Sequence, residues 1–111
     1  MRYLSTRDAR PQPATHSFED VLLAGLAEDG GLYVPQSWPQ ISHAEFESLK
    51  GRPYTEIAAR VIAPFVECAV SASQLRAILE ESYASFDTKL VVPLVQCGPN
   101  SFLLELFRGL T

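Results

Sequence analysis

The stretch SFEDVLLAGLAEDGGLYVP, residues 17–35, decides the fold because it contains a helix, a glycine turn and a strand in succession. Ser17 is a good helix N-cap, and Asp20 follows three residues later, as in a capping box. Apolar side chains then recur at helical spacing, at Phe18, Val21, Leu22 and Leu26. Gly25 weakens this helix, and Asp29-Gly30-Gly31 is predicted to end it. Leu32-Tyr33-Val34 then predicts a short strand that Pro35 closes.

The same start signal appears twice more along the chain. Ser42 with Glu45, and Ser71 with Gln74, each have capping-box spacing and predict a helix. Pro53 suits the first turn of a further helix, whose apolar stripe begins at Tyr54. These patterns predict about four helices in all.

Short extended segments lie near both ends of the chain. Residues 3–6 read as a strand, and residues 90–95 are extended and apolar. Gly98-Pro99-Asn100 is a turn signal before a last strand, Phe102 to Phe107. That strand is almost entirely apolar, so we expect it to be covered on both faces. The predicted class is α+β, with about four helices packed on a small, mainly antiparallel sheet of short strands.

Composition excludes several classes of protein. The chain has 111 residues, which fits one domain, with 47% hydrophobic and 20% charged residues. A formal charge of -4 with scattered basic residues predicts no nucleic-acid or membrane partner. The first residues contain no apolar signal-peptide core, so we expect a cytoplasmic protein. The two cysteines and two histidines have no metal-ligand spacing, and two reduced thiols are expected.

Three stretches are candidates for binding. Asp29, Gly30 and Gly31 could shape a ligand pocket or an inter-domain contact, although a helix stop is the simpler interpretation. Ser5, Thr6 and Arg7 could hold a phosphate or carboxylate, and the alternative is a strand end with a solvated arginine. Thr111, after the last strand, could lie at a pocket rim, and the alternative is a frayed end.

No catalytic or cofactor-binding residue can be assigned from the residues themselves. The chain has no glycine-rich phosphate loop and no G-x-S-x-G. Lys50 is expected at a helix end and Lys89 in a polar connection. Neither setting would lower the pKa of the amine for Schiff-base chemistry.

Four segments in order resemble the N-terminal part of threonine synthase. They are YLSTR at 3–7, SFEDVLLAGLA at 17–27, DGGLYVP at 29–35 and LELFRGLT at 104–111. The resemblance covers essentially the whole chain but only the front of the family's longer chain. Two departures stand out. The family typically has His and Pro where this chain has Arg108 and Leu110, and it often has Gly where this chain has Asp8.

The resemblance implies a parent enzyme of the tryptophan-synthase-β-like fold. This carbon–oxygen lyase converts O-phospho-L-homoserine and water into L-threonine and phosphate, with pyridoxal phosphate as the electron sink. The family's cofactor lysine follows the Gly-Pro-Thr that corresponds to residues 109–111, so this chain has no counterpart. We therefore expect the chain alone to bind no cofactor and to be inactive.

The resemblance also implies a domain division. Residues 1–95 would form an auxiliary domain, and residues 96–111 the first strand of the cofactor domain. The remainder of the parent enzyme would then be the partner. The alternatives are a stand-alone interaction module derived from the family and a small-ligand sensor that uses Ser5, Thr6 and Arg7. An exposed last strand would also promote self-association of the isolated chain, which light scattering would detect.

Overall fold

The first helix begins where its capping residues predict but ends earlier than expected. The structure, a computed structural model, describes residues 1–107, and in it α1 spans Phe18–Ala24. The Ser17 hydroxyl accepts the Asp20 N–H at 3.1 Å, and the Asp20 carboxylate accepts the Ser17 N–H at 3.0 Å. Gly25 is the C-cap, with φ of 71°. The predicted end at Asp29–Gly31 is therefore wrong, because the left-handed conformation that stops the helix is already adopted by Gly25.

The other three helices follow their predicted start signals. α2 spans His43–Ser48, α3 spans Tyr54–Ile62 and α4 spans Ala72–Ala84. The capping boxes of α2 and α4 are both formed, by Ser42 with Glu45 and by Ser71 with Gln74. α3 has Pro53 as its N-cap, without a side-chain capping bond. The predicted α+β class with four helices is confirmed.

The strands form two separate antiparallel pairs. β1 (Tyr3–Ser5) pairs with β2 (Tyr33–Pro35), with Leu4 opposite Val34. β3 (Leu94–Gly98) pairs with β4 (Ser101–Leu104), with an irregularity between Gln96 and Gly98. The chain ends thus carry strands, as expected, but each pair is a two-stranded sheet of its own.

Tyr3 connects the first sheet to the helices. Its backbone exchanges two hydrogen bonds with His16, at 3.0 and 2.9 Å. Its ring centroid lies 6.3 Å from that of Phe18, at the start of α1. Its hydroxyl donates to the Phe65 carbonyl at 2.8 Å, just beyond α3. Burial raises the pKa of this hydroxyl above its usual value.

The hydrophobic core lies between α3 and α4. Its buried members are Ala58, Val66, Leu75 and Leu79, and the side chains of Tyr54, Ile62, Val70 and Tyr83 pack against them. The Tyr54 and Tyr83 rings meet edge to face, with centroids 4.9 Å apart. This core is small for the size of the chain, because among residues 1–107 seven hydrophobic residues are buried.

The hairpin of β3 and β4 is not covered by the rest of residues 1–107. Phe102, Leu103 and Leu104 are 57%, 52% and 48% exposed. The last strand ends at Leu104 rather than at Phe107, and Phe107 itself is 69% exposed. The expected cover on both faces is therefore not supplied within the described chain, whereas the predicted apolar exposure of this strand is confirmed.

The chain is more extended than a self-contained domain of its length. Its radius of gyration is 17.1 Å, whereas a compact domain of this length has about 13 Å. Its accessible surface is 8432 Å², and a compact monomer of this mass exposes about 6,100 Å². No helix in residues 1–107 is long and apolar enough to cross a membrane.

The small core makes a direct prediction about stability. Leu79→Ala should lower the free energy of unfolding by about 2–5 kcal/mol, because it leaves a cavity between α3 and α4. Leu23→Ala is the matched control, since Leu23 is 87% exposed, and should change that free energy by less than about 0.5 kcal/mol. Urea unfolding measures both. Equal losses would contradict this assignment of the core.

Candidate functional site

The two predicted polar stretches meet at the end of the first sheet. Because β1 ends at Ser5 and β2 begins at Tyr33, residues 5–7 lie against the turn at residues 29–31. The Ser5 hydroxyl donates to Asp29 Oδ1 at 2.7 Å. Asp29 Oδ1 also accepts the Gly31 N–H at 2.9 Å. The Ser5–Arg7 and Asp29–Gly31 candidates therefore form one cluster, which we call the DGG turn cluster. Thr111, the remaining candidate, lies outside the described residues.

Thr6 holds the other side of the turn through two hydrogen bonds to Leu32. Its backbone N–H donates to the Leu32 carbonyl at 2.9 Å, and its hydroxyl accepts the Leu32 N–H at 3.0 Å. The Ser5 hydroxyl in turn accepts the Arg7 N–H at 3.2 Å. The hydroxyls of Ser5 and Thr6 are thus engaged within the cluster, where they shape the backbone.

Each glycine of the turn is required for a different reason. Gly30 has φ of 75°, and a Cβ there would lie 3.0 Å from an Arg7 guanidinium nitrogen. A Cβ on Gly31 would lie 2.2 Å from the Ser5 hydroxyl and 3.0 Å from the Arg7 backbone nitrogen. The first position needs glycine for its conformation, and the second needs it for space.

The two charged groups of the cluster, the Asp29 carboxylate and the Arg7 guanidinium, lie in different surroundings. The Ser5 hydroxyl and the Gly31 N–H lower the pKa of Asp29 below its usual value, because both stabilise the carboxylate. Arg7 is exposed, and its positive charge makes a smaller contribution to the lowering of the Asp29 pKa. A planar guanidinium in this state could receive a carboxylate or phosphate from outside the described chain.

A shallow cavity of about 440 Å³ lies beside the cluster. Asp8, Arg10, His16, Asp20 and Asp29 contribute to its wall. Arg10 Nε donates to Asp8 Oδ1 at 2.7 Å, and the Ala14 N–H donates to Asp8 Oδ2 at 2.9 Å. These bonds hold the pKa of Asp8 far below its usual range, with the Arg10 side chain as the largest cause. Across residues 1–107, no three His, Cys, Asp or Glu side chains are grouped to hold a metal ion.

The role of Asp8 was not predicted from the sequence. Asp8 stands where the resembled family often has glycine. Its carboxylate accepts hydrogen bonds from Arg10 and Ala14, which closes the loop between them. The spacing Asp8-x-Arg10 was the available signal, because an Asp side chain readily accepts bonds from the backbone two residues on.

Both lysines among residues 1–107 lie in exposed settings. Lys50 Nζ lies 2.6 Å from Glu47 Oε2, and its side chain is 70% exposed. Lys89 is exposed and borders open depressions beside Tyr54. A Schiff-base lysine needs a desolvated amine, and these exposed settings do not supply one.

Comparisons with known proteins agree on one family. A family profile described as threonine synthase N terminus matches residues 2–83. Threonine synthase of Pseudomonas aeruginosa is 49% identical over 111 residues, which are all of this chain and 23% of that protein. Threonine synthase of Schizosaccharomyces pombe is 36% identical over 110 residues, 98% of this chain and 21% of that protein.

Solved structures give the same result. The crystal structure of pyridoxal-phosphate-bound threonine synthase from Brucella melitensis matches with a TM-score of 0.89 and 43% identity, over 98% of this chain and 23% of that chain. Yeast threonine synthase matches with a TM-score of 0.84 and 31% identity, over 97% of this chain and 22% of that chain. The chain thus spans about a quarter of the length of these relatives.

The glycine contacts predict a steric cost. Gly31→Ala should lower the free energy of unfolding by about 1–3 kcal/mol, because the new methyl group overlaps the Ser5 hydroxyl. Gly98→Ala is the control, since its Cβ would meet Ser101 Cβ at an ordinary 3.4 Å. Thermal unfolding of both variants measures the difference. A Gly31→Ala protein as stable as Gly98→Ala would show that the turn is not packed as described.

The lowered pKa of Asp29 predicts a pH dependence. A carboxyl whose folded pKa is depressed contributes stability above its unfolded pKa of about 3.9, and that contribution is lost as pH falls through the folded pKa. Asp29→Asn keeps the Oδ1 acceptor but does not titrate. Urea unfolding between about pH 6 and about pH 3 should show a smaller loss of stability for Asp29→Asn than for the parent chain. Identical pH profiles would contradict the role given to this carboxylate.

Proposed function

The chain belongs to the threonine synthase N-terminus family, and on that premise we propose that it is the entry domain of a longer enzyme. That enzyme converts O-phospho-L-homoserine and water into L-threonine and phosphate. The observation that carries the proposal is the structural match over 98% of the chain, at a TM-score of 0.89 and 43% identity to a threonine synthase. Identity at that level over so complete a match supports shared function as well as shared fold.

The surface of the chain supports a role as part of a larger protein. It exposes about a third more area than a compact monomer of its mass would. Many large hydrophobic side chains are exposed among residues 1–107, and clusters of exposed large apolar side chains usually mark contact surfaces. A domain that is covered by the rest of an enzyme accounts for both facts.

The division of the chain follows from the same proposal. Residues 1–95 form the auxiliary domain, and residues 96–111 begin the cofactor domain. The exposed hairpin of β3 and β4 lies at this boundary, which falls within β3 because the pairing begins at Leu94. In the isolated chain this uncovered hairpin also favours self-association. The cytoplasmic location stays a prediction.

We propose that the residues of this chain do not anchor the cofactor. The exposure of Lys50 and Lys89 supports that view, and the cofactor lysine of the resembled family follows the position of Thr111. The chain's own contribution is then to shape and cover the enzyme. In that setting the Arg7 guanidinium and the DGG turn cluster are the candidates for contact near substrate.

A chimera tests the proposal. Residues 1–111 would replace the matching N-terminal quarter of the Pseudomonas aeruginosa threonine synthase. We expect this chimera to release phosphate from O-phospho-L-homoserine at least about tenfold faster than the same protein without residues 1–111, because a missing domain leaves the catalytic geometry unsupported. The isolated chain is the second control and should show no cofactor-aldimine absorbance.

A matched variant isolates the two departures in the tail. Arg108→His with Leu110→Pro restores the residues that are typical of the family. Comparable activity with and without this pair supports an active parent enzyme. Activity only with the pair would contradict an active parent and favour the derived interaction module. No activity in either form would contradict the proposed role of the whole domain.

A further inference from the structure

We propose a second docking surface for the C-terminal remainder of the enzyme, separate from the hairpin. This surface, which we call the leucine patch, consists of Leu22, Leu23, Leu26 and Leu32. The inference rests on the proposed function and extends it. It identifies where the remainder returns to contact the start of the chain, about seventy residues before the hairpin at which the two are joined.

All four side chains of the patch are more than half exposed. Leu22, Leu23, Leu26 and Leu32 are 66%, 87%, 63% and 60% exposed. No residue of α1 is buried. Single exposed leucines are common on soluble proteins, but four in one short helix and the turn that follows it form a patch of the kind that marks an interface.

The backbone around the patch is fixed by its own hydrogen bonds. The Ala27 N–H donates to the Gly31 carbonyl at 3.1 Å, and the Gly30 N–H donates to the Ala27 carbonyl at 2.8 Å. Thr6 holds Leu32 by two further bonds. Leu26 and Leu32 therefore flank one closed turn. Such preorganisation reduces the entropy that a partner must overcome on docking.

A polar group borders the apolar surface. Arg7 directly follows Thr6, which pairs with Leu32, and its guanidinium lies over Gly30. Interfaces commonly have an apolar centre and a polar rim, with arginine enriched. The patch and the DGG turn cluster would thus be covered by the same partner.

The size of the uncovered area favours the remainder over a second copy of this chain. The excess surface is about 2,300 Å² relative to a compact monomer, whereas each partner in a standard interface contributes about 800 Å². The relatives carry about three quarters of their length outside the matched part. A partner of that size can cover both the patch and the hairpin.

Thiol labelling tests the proposal in the long protein. Leu23→Cys and Leu32→Cys would be introduced singly into the chimera of residues 1–111 with the remainder of the Pseudomonas aeruginosa enzyme. Ser82→Cys is the isosteric control, at an exposed position on α4. Each labelling rate is divided by the rate of the same protein in concentrated urea, and peptide mass spectrometry separates the new thiols from Cys68 and Cys97.

Protection is the expected result. Leu23→Cys and Leu32→Cys should react at least about tenfold more slowly than in urea, and Ser82→Cys within about threefold of its own reference, since buried thiols are inaccessible to the reagent. Rapid labelling of Leu23→Cys in a chimera that releases phosphate would overturn this inference alone. Loss of phosphate release with the patch still protected would overturn the proposed function alone.

Two other outcomes count against the inference. Protection that disappears on dilution of the chimera would identify a second copy as the occupant. Failure of the chimera to take up pyridoxal phosphate would count against both the docking surface and the proposed function.

Discussion

The fold depends on Tyr3, which makes contact with three parts of the chain at once. Its backbone pairs with His16, its ring lies against Phe18 and its hydroxyl reaches the Phe65 carbonyl at 2.8 Å. These contacts fix β1 between the loop before α1 and the end of α3. Because β1 is fixed, Ser5 meets Asp29 and the DGG turn cluster closes. A single partly polar side chain therefore links the small sheet, the helices and the candidate site.

This arrangement leaves part of the chain's own apolar surface exposed. The core between α3 and α4 is small, and the leucine patch and the hairpin both face outwards. A chain that folds around so few buried side chains gains little hydrophobic stabilisation relative to the conformational entropy it loses. A neighbouring domain would supply the missing burial, which is how the family membership and the physical chemistry of the surface agree.

The sequence predicts what is local and fails where the answer depends on distant residues. All three capping boxes were predicted because each needs only Ser and an acceptor three residues on. The end of α1 was not predicted correctly, because Gly25 could equally weaken a helix or stop it. Only the backbone conformation of Gly25 decides between the two. Leu22 and Leu26 recur at helical spacing, which looks the same whether the partner of that face is in the chain or elsewhere. The meeting of Ser5 with Asp29 also required the register of β1 and β2, which the two stretches do not encode separately.

The exposed apolar surface implies that these residues form a folded but uncovered part of a larger protein. Small-angle X-ray scattering of the isolated chain, extrapolated to zero concentration, is the sharpest test of this claim. We expect an elongated monomer with a radius of gyration near 17.1 Å. A value of about 13 Å, as for a compact domain of this length, would mean that the chain buries its own apolar surface and would contradict the claim.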